Sequence, residues 1–179
     1  MLLFKCRVTG DECLSDAFKP TPVLDADGEE VVGLIEIPST QVNKDSGASI
    51  DIGCGNAFGE EAEADGAEEK VNNVIDETFG FGLQLVPMGK RDLKEYLGDY
   101  CKKVRQLLKD DDKVEGPEVK AFTQSAPKIC KYLLGQHSEL EFYITRAMDP
   151  EGAMAFAYYG EGVNPKFIFI EAGMIKEKC

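Results

Sequence analysis

Two runs near the start of the chain, LLFKCRV and EVVGLIEI, are apolar or alternate apolar with polar positions, the period of a strand. The turn-forming stretches TGDE and LDADGEE follow or precede them. From about residue 39 to residue 70 the pattern dissolves: three large aliphatic residues and one phenylalanine stand among glycines, small residues and acids. Strand-like chemistry returns in VIDETFGFGLQLVP, residues 74–87. The period then lengthens to that of a helix. Leu93, Leu97, Tyr100, Cys101, Val104, Leu107 and Leu108 make one apolar stripe, and after the connector DDDKVEG a second follows through Val119, Phe122, Ala126, Ile129, Cys130 and Leu133. Gly135 marks a C-terminal stop, and Pro127 is predicted to kink or split the second helix. A helical hairpin over about 88–135 is the result. LEFYIT, AMAFAYY and KFIFIEAG then read as strands, with turns at DPEG and GEGVNP. The order β, loop, β, αα, β predicts a single α+β domain over residues 1–179.

Charge changes this picture. Lysine and arginine number 20 against 33 acids, a formal net charge of −13. That balance argues against a nucleic-acid partner, whose phosphates are held mainly by lysine and arginine. It favours solubility, basic partners and loosely held divalent cations. Within EEAEADGAEE, residues 60–69, six of ten positions are acidic and none is basic. A segment of this composition buries too little apolar area to offset its ordering entropy, so a long mobile acidic loop is expected over about 39–70. The start MLLFKCRVTG is too short in apolar residues for a signal peptide, and no run approaches a membrane span. Six scattered cysteines with no CxxC support neither a zinc site nor a disulfide scaffold. A cytoplasmic protein is expected.

Few motifs carry chemistry. GCGNAFG spaces its glycines as GxGxxxG and no helix follows, so it is no dinucleotide cradle. DADGEEVVGLIE, residues 25–36, has acids at positions 1, 3, 5 and 12 of a calcium loop but Glu30 where glycine must turn the chain, which favours a hairpin turn. His137, the single histidine, reads as a surface residue without a catalytic partner. Cys101 and Cys130 sit on the apolar stripes as small core residues. No enzyme is indicated. The first helix does carry a local cationic face: Lys90, Arg91, Lys94, Lys102, Lys103, Arg105 and Lys109, seven of the chain's 20 basic residues. It reads either as a solvated helix laced with ion pairs or as a docking surface for an acidic partner, such as the acidic tails of tubulin.

Taken together, these segments resemble the translationally controlled tumour protein family, also called histamine-releasing factor. MLLFKCRVTGDECLSD is similar to the family's opening, with Asp11, Glu12, Ser15 and Asp16 as its DExxSD element. Gly55, Asn56 and Ala57 with Glu60 resemble the first family signature; Phe142, Tyr143, Pro150, Gly152 and Ala155 resemble the second. GVNPKFIFIEAGMIKEKC is similar to the family's ending. The chain departs from the pattern at Phe58 (usually serine), Thr145 and Arg146 (usually Gly-Glu), Pro127, and Cys6 (often aspartate). The resemblance implies a β-tent, a mostly antiparallel β core, with a projecting α-helical hairpin and a flexible acidic loop. It also implies a cytosolic protein of growth, translation and stress responses that binds calcium and microtubules, anti-apoptotic Bcl-family proteins and translation elongation factors. Nucleotide exchange on a Rheb-type small GTPase is a further implied role, and Glu12 is the residue matching it. Asp11, Glu12 and Asn56 are the calcium candidates.

Overall fold

The computed structural model describes residues 2–43, 70–76, 80–160 and 162–178. Eleven strands, all paired antiparallel, form three sheets among these residues. The strands are β1 (Leu2–Cys6), β2 (Glu12–Ser15), β3 (Thr21–Leu24), β4 (Glu30–Ile37), β5 (Gln41–Asn43), β6 (Lys70–Asn72), β7 (Gln84–Val86), β8 (Glu141–Ile144), β9 (Met154–Tyr158), β10 (Lys166–Ile170) and β11 (Met174–Lys178). The main sheet runs β3-β4-β10-β9-β8-β7, a smaller one β11-β1-β2, and β5 pairs β6 alone. β9 and β10 are buried at nearly every position, so both faces of the main sheet's centre are covered, as their near-continuous apolar sequences MAFAY and KFIFI require. Phe167 stands opposite Ile37 on one side and Ala157 on the other. The edge-on ring pair Phe142–Phe156, with centroids 5.9 Å apart, ties β8 to its neighbour β9, and the pair Tyr143–Phe167, 5.7 Å apart, reaches across β9 from β8 to β10.

The helical hairpin is α1 (Lys90–Asp110) and α2 (Gly116–Gly135). Of the first apolar stripe, Leu93, Leu97, Tyr100, Val104 and Leu108 are buried. Full burial of each aliphatic side chain contributes about 1.5–3 kcal/mol. Phe122, Ile129 and Leu133 of α2 are buried in turn, and α2 packs on β4. The seat is Gly33, whose φ of 97° favours glycine and where an added Cβ would lie 2.7 Å from Ile129 Cδ1. Pro117 falls in the first turn of α2, where its missing N–H costs nothing. The Arg7–Asp111 ion pair, 3.1 Å, fastens the turn after β1 to the connector between the helices.

The structure departs from the sequence expectations in several places. Among the described residues of 74–87, strand is confined to Gln84–Val86, and residues 73–75 form a turn held by Asn72 Oδ1, which accepts the N–H groups of Val74 and Ile75. The patternless stretch 39–70 is closed at its ends by β5 and β6, in register Gln41 with Asn72; residues 44–69 lie outside the described residues. Residues 25–36 do form a turn and strand: Asp25 Oδ1 accepts from the N–H groups of Asp27 and Glu29, and β4 begins at Glu30. Pro127 does not split α2, which is continuous from Gly116 to Gly135. Cys101 and Cys130 are half-buried at the seam between the helices rather than in the core. His137 is no free surface residue: its Nε2 lies 2.8 Å from the Met88 carbonyl and its ring packs against Phe142.

Candidate functional site

Two surfaces gather the residues of interest. The first lies on α1, whose amphipathic winding turns its polar half outward. At about 100° per residue, Lys90, Arg91, Lys94, Lys102, Arg105 and Lys109 fall within an arc of roughly 120°, and Asp92, Glu95, Asp99 and Asp110 fall together beside it. All six bases are exposed. Arg91 alone of the six makes an ion pair among the described residues, a solvated contact with Glu95 at 3.7 Å. Lys103 lies off the stripe and is held by Glu151 at 2.9 Å, so the structure separates it from the other six. At the connector end the stripe opens into a depression of about 480 Å³ lined by Arg105, Lys109 and, from α2, Lys120. Lys120 extends the basic surface, and sequence reasoning missed it because it belongs to the other helix.

The second surface is a cleft of about 270 Å³ between the β1–β2 turn, the segment before β7 and the turn after β8. Its lining is Gly10, Asp11, Glu12, Gly80, Phe81 and Arg146. Glu12 is exposed as the first residue of β2. Asp11 Oδ2 accepts the Ala147 N–H at 2.9 Å, which commits one carboxylate oxygen to joining the two turns. The guanidinium of Arg146 lies across Gly82, where an added Cβ would sit 2.6 Å from Nε. Among the described residues no three metal-binding side chains converge. Two carboxylates are few for calcium, which takes six to eight oxygens, and a guanidinium in the same cleft opposes it. Asn56, the third expected ligand, lies outside the described residues, as do Phe58, Glu60 and Cys179.

This architecture and these surfaces can be set beside known proteins. The family model described as translationally controlled tumour protein matches residues 1–175. The chain belongs to that family. The translationally-controlled tumor proteins of Mus musculus and Homo sapiens are each 32% identical to it, with all of both chains covered. The solved structure of the Translationally Controlled Tumor-associated Protein of Schizosaccharomyces pombe superposes with a TM-score of 0.72 at 30% identity, again over the whole of both chains. The α+β architecture, antiparallel sheets with a helical hairpin, is thus the fold of the translationally controlled tumour protein family.

Within the family frame, the departures find physical places. Cys6, one of the departures expected from the resemblance, accepts the N–H groups of Ala153 (3.2 Å) and Thr9 (3.4 Å) on its sulfur, a role open to a carboxylate as well. A hydrogen bond from Cys13 and these N–H groups hold the Cys6 thiol down at about 5 against the upward push of burial. Thr145 is buried with its hydroxyl unpartnered, while its carbonyl accepts the Met148 N–H in the turn after β8. Arg146 was visible in the sequence as a base replacing an acid. Its position beside Asp11 and Glu12 was not, because the three meet only through tertiary structure.

Proposed function

We propose that this member of the translationally controlled tumour protein family is a binding protein that docks acidic protein segments, the tails of tubulin in particular, on the basic stripe of α1. The observation that carries this is the segregation of six exposed cations from the acids of the same helix, in a chain of net charge −13. A helix selected only for solubility gains from interleaving its signs at i,i+4 spacing. Sorting them onto separate stripes costs those pairs and creates a field that steers an anionic partner. No helix among the described residues is long and apolar enough to cross a membrane.

Reversing Lys94, Lys102 and Arg105 to Glu together is expected to weaken microtubule co-sedimentation by about tenfold or more, with the wild-type affinity falling steeply as salt rises. Lys103→Glu, which removes only an exposed pair with Glu151, is expected to change binding less than about twofold. Undiminished binding by the triple variant rejects the stripe. Catalysis of nucleotide exchange on a Rheb-type GTPase is the second reading, favoured by the exposure of Glu12 at the rim of its cleft. Release of a labelled nucleotide at substoichiometric amounts of this protein separates the two readings. Bcl-family proteins and elongation factors remain further proposed partners through the same exposed surfaces.

Calcium is proposed as a weak ligand of Asp11 and Glu12, its remaining coordination supplied by water. Arg146→Gln removes the opposing charge and is expected to tighten calcium about threefold or more, read as a lower concentration for half-maximal NMR shifts of residues 10–12. An unchanged titration places calcium elsewhere.

A further inference from the structure

We propose that Cys101 and Cys130 are a peroxide-oxidisable dithiol, forming a reversible disulfide that staples α1 to α2. Their sulfurs lie 3.8 Å apart across the helix–helix seam. A disulfide needs about 2.05 Å, a closure within reach of side-chain rotation. Both residues are partly exposed, so a small oxidant reaches them. Cys6 and Cys13 make the instructive contrast. Their exposures are 1% and 0%, so the low-lying thiol of Cys6 is shielded from solution.

The two thiols of the seam play unequal roles. The hydrogen bond from Cys101 holds the Cys130 thiol down at about 7, while the same contact and burial push Cys101 up. Cys130 therefore supplies the thiolate. It attacks one oxygen of a hydroperoxide; the O–O bond breaks, the other oxygen leaves as alcohol or water, and Cys130 becomes a sulfenic acid. Cys101 then attacks the Cys130 sulfur and loses its proton, the S–O bond breaks, and water departs. Two thiols and one hydroperoxide give one disulfide, one alcohol and one water. The bond closes the loop from residue 101 to residue 130, which includes the connector, and so locks the two helices in their antiparallel pairing.

The test treats the full chain with hydrogen peroxide, alkylates the remaining thiols, digests with trypsin and maps the peptides by mass. The expected product joins residues 95–102 to residues 129–131, less two hydrogens, while Cys6 and Cys13 are alkylated only after denaturation. The oxidised protein is expected to melt about 5–10 °C higher, and dithiothreitol to abolish the difference. In Cys101→Ser, Cys130 is expected to accumulate as a sulfenic acid captured by dimedone; in Cys130→Ser, Cys101 is expected to stay unlabelled. The proposal is overturned if peroxide leaves both thiols alkylatable, or if it links either one to Cys54 or Cys179 instead. Peptide mapping of the unmutated chain decides this even where a serine variant fails to fold.

Discussion

Gly173→Ala is expected to destabilise the protein by about 3 kcal/mol or more, lowering its melting midpoint by roughly 6–12 °C. Gly173 ends the short 3-10 turn between β10 and β11, Glu171–Gly173, where α1 crosses the main chain. An added Cβ would overlap Tyr100 Oη and lie 2.9 Å from its ring carbon Cζ. Neither side can yield easily. The Tyr100 ring is buried and stacks on Tyr96 with centroids 5.2 Å apart, and the Gly173 carbonyl accepts the Arg7 N–H at 3.0 Å. The Tyr100 hydroxyl also has no hydrogen-bond partner, and burial raises its pKa well above the ordinary tyrosine value, so it stays neutral. Tyr100→Phe is therefore expected to be neutral or stabilising by about 1 kcal/mol, since it removes a buried polar group that nothing satisfies. In the double variant the hydroxyl clash is gone but the ring contact stays, so the combined cost should fall below the sum by about 1–2 kcal/mol. A Gly173→Ala cost under about 1 kcal/mol in urea unfolding would show that the ring can vacate this seat.

What the sequence disclosed and what it hid follow one physical division. The hairpin was legible because its information is local: a period of 3.6 in apolar residues states which face is buried, and the same period sorts the bases of α1 onto one stripe. MAFAY and KFIFI were legible because strands buried on both faces must be apolar throughout. β11 was not, because MIKEK has only one buried side chain, Met174; its strand character comes from pairing with β1, Leu2 opposite Lys178 through Cys6 opposite Met174. Lysine-rich sequence is how an edge strand discourages further pairing, and it erases the alternation that reveals a strand. β5 and β6 are three residues each and meet only through a long closure in sequence. The functional surfaces divide the same way. Six of the seven bases named from α1 share a stripe, but the Lys103–Glu151 pair, the contribution of Lys120 and the approach of Arg146 to Asp11 and Glu12 are long-range facts that no local period encodes.

Pro127→Ala is expected to stabilise the protein by about 2 kcal/mol and to raise its melting midpoint by roughly 4–8 °C. Pro127 stands inside α2, exposed, with a helical turn or more on either side. It has no N–H to give the Thr123 carbonyl, and its ring crowds that group. Two neighbouring hydroxyls bond backward instead of outward, Thr123 to the Val119 carbonyl and Ser125 to the Ala121 carbonyl, each at 2.9 Å. Back-bonding of this kind accompanies bent helices. The helix nevertheless persists because packing holds both halves: Phe122 before the proline, Ile129 and Leu133 after it, are all buried. Alanine restores the missing bond, worth about 3 kcal/mol by intrinsic propensity, and forfeits about 0.4–1 kcal/mol of the rigidity that proline lends the unfolded chain. Urea unfolding should show a higher midpoint with an unchanged slope. A lower midpoint would carry the opposite meaning, that the backbone geometry proline imposes at residue 127 is what allows Phe122 and Ile129 to reach the core together, and that α2 is built around its proline rather than in spite of it.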